Sequence, residues 1–252
     1  EFWLKKPAFT TGSTGREVIL DVWNNNISSS TDYGRLTVEL RGTTAISPFR
    51  ITAQSGTSGV FKQLIGANLT TSSLESFHHY AVVMQNSGSA FVTKLYVDGK
   101  LNDTNHVVGT VNELNSKNLM GRIGSLITNP SASAAEAGWG KLSGSIDEFR
   151  FWKVASTSEE IAENWFAPVY GGSNTDVSNA TLGMYYKFNE GIVDNVAVDS
   201  VVLDYSGRVT NGAWTGYVAG SRTTTSAIVE ASASATEYKD PIIYAEHPDV
   251  VS

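Results

Sequence analysis

Asp147 and Glu148 are the carboxylates that come closest to a catalytic pair in this sequence. They lie side by side in GSIDEFRFW (144–152), whose glycine start and dense aromatic residues predict a β-strand. Hydrolysis of a glycosidic bond uses two carboxylates that face one cleft, so on a strand they must be two residues apart. Adjacent strand residues point to opposite faces, and the chain has no E-x-D-x-E pattern. Glu148 instead shares a face with Arg150, which favours an ion pair over catalysis.

The other side-chain combinations that carry chemistry are absent from the sequence. His78 and His79 are neighbours on a predicted strand, so their rings point apart and cannot share a metal ion, and His106 and His247 lie far along the chain. There is no G-x-S-x-G nucleophile motif and no phosphate-binding glycine loop. We therefore predict a protein that is not an enzyme.

Aromatic residues at predicted loop edges are the candidates for contacting a sugar, because a ring face stacks on a pyranose while polar neighbours bond its hydroxyls. The four candidates are Trp139, Trp23, Tyr33 and Tyr170. Trp139 is the best of them, since it follows a small-residue loop (129–138) that we expect to project from one end of the fold. Three other rings lie in predicted strands and are expected in the core: Trp3, Trp152 and Tyr96.

The composition excludes several classes of function. The 252-residue chain has a formal net charge of −7 and no long run of Lys and Arg, which argues against nucleic-acid binding. It has no cysteine and therefore no disulfide. No apolar run approaches the roughly 20 residues that cross a bilayer, so we expect no membrane insertion. The 41% of hydrophobic residues suffice for one large core.

Alternating apolar residues and frequent turns predict an all-β fold. In RLTVELRG (35–42), Leu36, Val38 and Leu40 alternate with polar residues, which predicts a half-buried strand. Residues 77–101 predict a hairpin, with a tight Asp98-Gly99 turn before the next strand.

One short helix and an extended tail complete the predicted organisation. STSEEIAENWF (156–166) predicts a helix with serine at its cap and glutamate in its first turn. Residues 216–252 predict a Ser/Thr/Ala-rich linker and an extended tail that leads to another domain. The first residues are already strand-like, so we expect a fragment of a longer polypeptide without its N-terminal strand.

Two blocks resemble the laminin-G-like domains of the concanavalin A-like lectin/glucanase superfamily. FHHYAVV with LYVDGK (77–100) is similar to a strand pair of that superfamily, although Phe77 replaces its usual tryptophan. GSIDEFRFW with SEEI (144–161) is similar to its closing strand and helix turn. The resemblance covers residues 1–215 and implies a two-sheet antiparallel β-sandwich, a jelly roll, that recognises ligands outside the cell.

The same resemblance implies a calcium ion in the loops at one end of the sandwich. Ca²⁺ prefers about six to eight oxygen ligands. The candidate donors in this chain are Asp147, Asp204, Asp199, Asn189 and Asp194. For Asp204 there is an alternative, since it lies in a DYSG turn that its own side chain can cap.

The C-terminal block resembles virion structural proteins of marine T4-like phages. It consists of VVLDYSGRVTNGAW (201–214), a Ser/Thr/Ala-rich stretch and KDPIIY (239–244). This resemblance implies a tail, fibre or capsid appendage located in the virion. Such a module would bind cell-surface glycans or neighbouring virion proteins and work as a homo-oligomer. The alternative is a bacterial cell-surface adhesin or a carbohydrate-binding module of a secreted polysaccharide-degrading protein.

Overall fold

The computed structural model describes residues 1–9, 16–26, 32–42, 46–113, 118–127, 140–169, 181–189, 201–208, 210–214 and 227–228. The chain forms two compact units: unit 1 comprises Glu1–Ile146 and Val154–Trp165, and unit 2 comprises Asp147–Lys153 and Phe166–Ser252. The domain boundary predicted at residue 215 stays a prediction, because nearly all of 215–252 lies outside the described residues.

The described residues contain fourteen strands, one 3-10 helix (Thr71–Leu74) and the α-helix α1 (Ser158–Asn164). The strands are β1 (Phe2–Lys5), β2 (Arg16–Trp23), β3 (Gly34–Arg41), β4 (Phe49–Ser55), β5 (Ser58–Ile65), β6 (His78–Ser87), β7 (Ala90–Val97), β8 (Lys100–Val108), β9 (Met120–Ile123), β10 (Ser145–Asp147), β11 (Phe149–Trp152), β12 (Leu182–Tyr186), β13 (Val201–Val202) and β14 (Gly212–Ala213). No helix in this part of the chain is both long and apolar enough to cross a membrane.

Unit 1 is built on two five-stranded antiparallel sheets. Sheet A has the order β10-β1-β6-β7-β8, and sheet B has the order β5-β4-β3-β2-β9. The sheets pack face to face, since the rings of Phe49 in sheet B and Tyr80 in sheet A are both fully buried with centroids 5.0 Å apart. Along one side, the Asn105 side-chain amide donates to the Leu64 carbonyl across a 2.6 Å distance. The predicted β-sandwich is confirmed.

Helix α1 covers the outer face of sheet A. Its single fully buried residue, Ile161, packs against Ala81 and Val83 of β6 and Tyr96 of β7. The predicted cap is wrong by one position: the N-cap is Thr157, whose hydroxyl accepts from the Glu160 amide while the Glu160 side chain accepts from the Thr157 amide. The threonine completes a reciprocal capping box.

Glu148 interrupts the strand that the sequence predicts as continuous through Trp152. It adopts a φ of +50°, in the left-handed region that a regular strand cannot contain. As a result, β10 belongs to sheet A, while β11 pairs with β12 in unit 2, where Phe149 lies opposite Tyr186. Unit 2 also contains the short β13–β14 pair.

Strand β3 differs from its predicted half-buried state. Val38 and Leu40 face the core as expected, but Arg35, Thr37 and Glu39 on the opposite face are buried too. Alternation places these polar side chains on one face, and the sequence does not reveal that this face is covered.

Candidate ligand-binding surfaces

The outer face of sheet B is lined with arginine. Arg35 and Arg41 alternate on β3 with Thr37 and Glu39, and strand register adds one arginine from each of three neighbouring strands. Arg16 of β2 lies opposite Arg41, Arg50 of β4 opposite Glu39, and Arg122 of β9 opposite Asp21. Directly opposed residues share a face. We call this surface the arginine face, and its members are Arg16, Arg35, Arg41, Arg50 and Arg122.

Two buried carboxylates organise three of these arginines. Glu39 accepts from Arg16 Nε at 2.9 Å through one oxygen and from Arg50 Nε at 2.9 Å through the other. Asp21 accepts from Arg35 Nε at 2.6 Å and Arg35 Nη2 at 2.5 Å, one bond to each oxygen. Burial raises the pKa of Asp21, and the charge of Arg35 opposes that rise. The ion pairs hold the guanidinium groups in fixed positions.

One cross-strand row on this face combines a ring, a cation and an amide. Arg35 lies opposite Trp23 on one side and Gln54 on the other. Its guanidinium carbon is 5.5 Å from the centroid of the Trp23 ring, a cation–π contact. The Gln54 Oε1 atom is buried and accepts no hydrogen bond from any residue that the structure describes. A buried amide oxygen without a donor is uncommon in folded proteins.

The structure buries two of the four aromatic candidates. Trp23 is only 6% exposed, and its Nε1 donates to the Asn26 carbonyl at 2.9 Å. Tyr33 is 2% exposed. Both rings therefore pack in the protein interior in this conformation. Trp139 and Tyr170 lie outside the described residues, as do Asp194 and Asp199 among the predicted calcium ligands.

The Asp147–Glu148 pair is committed to contacts within unit 2. The Tyr185 hydroxyl donates to Glu148 Oε2, which also lies 3.5 Å from Arg150 Nη2. Asp147 accepts from the Glu148 amide at 3.0 Å and from the Ala227 amide at 2.6 Å. Both carboxylates are buried, and the predicted Glu148–Arg150 ion pair is present.

The Asp204 carboxylate caps its own turn, as the alternative to calcium predicts. Its Oδ1 accepts from the amides of Tyr185 and Ser206 at 3.0 and 2.9 Å. Its Oδ2 accepts from the Ser206 hydroxyl at 2.8 Å and from both the amide and the hydroxyl of Thr210. Burial alone would raise the pKa of Asp204, but the hydrogen bonds from Thr210, Ser206 and Tyr185 outweigh it and lower that pKa.

No three Asp, Glu, His or Cys side chains gather into a metal-binding group within the described ranges. Asn189 is half-buried, and no contact of its side chain with Asp147 or Asp204 is present. A calcium ion remains a prediction for this chain.

Sequence comparison decides the family. Residues 1–162 match the family described as the concanavalin A-like lectin/glucanases superfamily, which is well over half of the chain. The chain belongs to this superfamily. No curated protein matches it with significance.

Among solved structures, a similar one is a protein from Bacteroides ovatus described as a "putative carbohydrate binding protein". The two chains are 14% identical with a TM-score of 0.41, and the match covers 87% of this chain and 59% of the other. This chain therefore spans less than two thirds of that protein, and the similarity is too low to carry an argument about function.

The two sequence blocks that resemble the superfamily meet in unit 1. The Tyr96 hydroxyl, two residues before the Asp98-Gly99 turn, lies 2.7 Å from the Ser158 hydroxyl in the first turn of α1. Asp98 also orders the start of β6, since it accepts from the His79 amide at 2.9 Å and lies 2.7 Å from His78 Nδ1. The hydrogen bond between the side chains of Asp98 and His78 raises the pKa of His78, and burial has a smaller effect in the opposite direction.

His79 packs against two tryptophan rings. It is buried, and its ring centroid lies 5.9 Å from that of Trp3 and 6.2 Å from that of Trp165.

The arginine face is the feature that sequence reasoning missed. The signal is present in RLTVELR (35–41), where Arg35, Thr37, Glu39 and Arg41 recur with a period of two. The apolar residues between them are enough to predict the strand. The pattern therefore does not indicate that the polar residues form a buried surface. The partners Arg16, Arg50 and Arg122 could not be added without the strand register.

Proposed function

We propose that this chain is a non-catalytic carbohydrate-binding module of a phage virion protein, such as a tail, fibre or capsid appendage. Membership of a superfamily of lectins and glucanases supports a role in carbohydrate recognition. The observation that carries the proposal is the cross-strand row of Trp23, Arg35 and Gln54, which places an ordered cation beside an amide oxygen that accepts no hydrogen bond from the described part of the chain.

A sugar hydroxyl is the kind of donor that Gln54 Oε1 lacks. Arg35 lies directly opposite Gln54 in the sheet and is held by Asp21 and by the Trp23 ring. Placed polar groups give carbohydrate sites their specificity. The Arg35 side chain and the Gln54 Oε1 atom are buried in this structure, so a sugar would reach them only after the groups that cover this row rearrange.

A binding role without hydrolysis fits the state of the acid pair. General acid catalysis requires a carboxyl group within reach of the glycosidic oxygen. Glu148 is buried beneath contacts with Tyr185 and Arg150, and Asp147 is bonded to two backbone amides. Both carboxylates belong to unit 2, whereas the row on sheet B belongs to unit 1.

A glycan array of the purified chain, run with Ca²⁺ and with EDTA, tests the proposal. We expect specific binding, and we expect Gln54→Leu to weaken it by about tenfold because the acceptor is lost, about 1.4 kcal/mol. Gln85→Leu, on an exposed position of β6, is the matched control and should bind normally. A blank array from a folded sample would contradict carbohydrate binding. Loss of binding in EDTA would support the calcium site implied by the family resemblance.

The virion location and homo-oligomeric state rest on the resemblance of residues 201–244 to phage structural proteins. A bacterial adhesin or a module of a secreted polysaccharide-degrading protein has equal support from the fold. The neighbouring genes separate these alternatives: portal, sheath or baseplate genes favour the virion. Genes for polysaccharide degradation would count against it.

A further inference from the structure

We propose that the chain forms a symmetric dimer in which edge strand β9 pairs antiparallel with β9 of a second copy, so that sheet B continues from one copy into the other. This inference rests on the homo-oligomeric state in the proposed function, to which it gives an interface, and it is independent of the ligand that the chain binds. It follows from the backbone groups of β9, from its side chains and from the register that suits both.

Strand β9 is the open edge of sheet B. The opposite edge, β5, is bridged to β8 of sheet A, since Asp103 of β8 accepts from the amides of Gly66 and Ala67, which follow β5, at 2.8 and 2.9 Å. Strand β9 pairs with β2 on one side, and no strand in the described ranges pairs with its other side. Residues 118–122 are all exposed, so a second strand can reach this edge.

The hydrogen bonds between β2 and β9 show which backbone groups point outward. The Gly124 amide donates to the Ile19 carbonyl at 2.9 Å, so these opposed residues form a hydrogen-bonded pair. Such pairs alternate along an antiparallel ladder, and the β2–β9 ladder has no register shift. Arg122 therefore also bonds to β2, whereas the N–H and C=O groups of Gly121 and Ile123 point away from it. An added strand pairs with such outward groups.

The side chains of β9 do not protect this edge against pairing. Proteins block open edges with lysine, proline or a bulge. Strand β9 has the sequence MGRI, without lysine or proline, and it pairs with β2 without a bulge. Leu119, just before the strand, is 57% exposed, and Met120 is 39% exposed. Two consecutive large apolar residues at an open edge favour a partner strand that covers them.

A two-fold axis at Gly121 suits both the backbone and the side chains. Gly121 then exchanges both hydrogen bonds with Gly121 of the second copy, and nothing in its own chain crowds the axis, since an added Cβ would meet no atom within 4 Å. In this register Arg122 lies opposite Met120 of the second copy, and Ile123 lies opposite Leu119. An axis at Arg122 would instead place the two arginines directly opposite each other, where like charges repel.

The contact is small, which sets the expected affinity. Two strands of this length bury far less than the roughly 1,600 Å² of a standard interface. We therefore expect a dissociation constant on the order of 100 μM for the isolated chain. Copies that are tied together in a larger assembly would pair more tightly, because their effective concentration is higher.

Cysteine cross-linking tests the register, because the chain has no cysteine of its own. Positions 120 and 122 of opposite copies form a non-hydrogen-bonded pair with Cα atoms about 4.5 Å apart. Each position lies about 7–8 Å from its own symmetry mate, too far for a disulfide. Under mild oxidation, a mixture of Met120→Cys and Arg122→Cys should form linked dimers at least about fivefold faster than either variant alone. Val108→Cys, at a residue of β8 that is 95% exposed, measures random collision.

Sedimentation velocity tests the edge itself with two variants of one residue. Gly121→Pro removes the outward N–H and keeps the ladder to β2, whereas Gly121→Ala keeps that N–H. We expect proline to weaken the dimer at least about tenfold and alanine to weaken it less than about twofold. Thermal melting confirms that each variant is folded. If Gly121→Pro fails to fold, the cross-linking rates still decide.

The possible failures are distinguishable. Equal cross-linking rates for the mixture and the single variants, or a dimer that Gly121→Pro leaves unchanged, would overturn the β9 interface and assign the homo-oligomer to another surface. Faster cross-linking of Arg122→Cys alone would contradict the register. A chain that stays monomeric at about 1 mM, tenfold above the expected dissociation constant, would overturn both the interface and the homo-oligomeric state. The glycan array tests carbohydrate binding separately from all these outcomes.

Discussion

The indole ring of Trp165 lies so close to Gly99 that a Cβ atom added to the glycine would come within 2.4 Å of Trp165 Cδ1. Gly99 is the second residue of the turn between β7 and β8, with a φ of +74°. Trp165 is the C-cap of α1 and also packs against Trp3 of β1, with ring centroids 5.7 Å apart. The missing side chain of one residue therefore lets the helix close onto sheet A.

Gly99→Ala should destabilise the protein by about 2–4 kcal/mol, because it combines a positive φ with a clash against a large, packed ring. Gly88→Ala is the matched control: Gly88 also lies in a turn with a positive φ, of 59°, but an added Cβ would meet no atom within 4 Å. Urea denaturation of both variants separates the cost of a side chain at a positive φ from the cost of the clash with Trp165. Equal losses would show that Trp165 does not restrict position 99.

Removal of the Tyr96 hydroxyl should weaken the attachment of α1 to sheet A. The hydroxyl lies 2.7 Å from that of Ser158, and the tyrosine ring is buried. We expect Tyr96→Phe to cost about 1 kcal/mol and a double-mutant cycle with Ser158→Ala to give a coupling energy of about 0.5–1.5 kcal/mol. A coupling energy near zero would contradict this bond.

Glu39 should be the most sensitive carboxylate of sheet B. Glu39→Gln leaves Arg16 and Arg50 buried without their shared negative charge, and breaking a buried ion pair costs about 3–5 kcal/mol. Glu113→Gln, at an exposed position, should change the free energy of unfolding by less than about 0.5 kcal/mol. A similar small effect of Glu39→Gln, measured by urea denaturation, would contradict the structural role of this network.

The sequence predicts local features of this fold well and non-local ones poorly. The Asp98-Gly99 hairpin and the helix after GSIDEFRFW follow from turn and capping residues that act within a few positions. The break at Glu148 does not, because a positive φ in a glutamate depends on two different strand pairings. Likewise, Trp23 and Tyr33 border loops in the sequence, but their burial depends on distant residues.

The candidate site shows the same limit. The period-two pattern of Arg35, Thr37, Glu39 and Arg41 is readable in one strand, whereas its meaning depends on Arg16, Arg50 and Arg122 from three other strands. The sequence predicts the capping role of Asp204, because all the donors to its carboxylate come from its own turn or from the strand beside it.

The His78–Asp98 pair should stabilise the protein more at low pH than at high pH. The folded-state pKa of His78 is raised by Asp98, so protonated His78 favours the folded state. This contribution is fully present below the unfolded pKa of about 6.5 and is lost as the pH rises through the higher folded pKa.

Comparison with His78→Gln measures this contribution. The difference in melting temperature between the wild type and the variant should be larger at pH 5.5 than at pH 8.5. His106→Gln, an exposed histidine of β8, is the control and should show no such trend. An NMR titration that gives His78 an ordinary or lowered pKa would rule out this account.

The Asp204 turn should keep its structure without calcium. Five hydrogen bonds from Tyr185, Ser206 and Thr210 occupy its two oxygens. Hydrogen exchange of the Tyr185 and Ser206 amides should therefore be equally slow in Ca²⁺ and in EDTA, and faster in Asp204→Ala. Protection that depends on calcium in the wild type would instead make Asp204 a ligand.

We propose that the chain binds a polysaccharide without hydrolysing it, and one experiment measures both binding and hydrolysis. The purified chain is titrated calorimetrically with a polysaccharide that it retains on the array, and the reducing ends in the same sample are counted over several hours. We predict saturable binding, weakened by Gln54→Leu, with no increase in reducing ends. Reducing ends that accumulate with the wild type and stop accumulating with Glu148→Gln would contradict the account and make this chain a glycoside hydrolase.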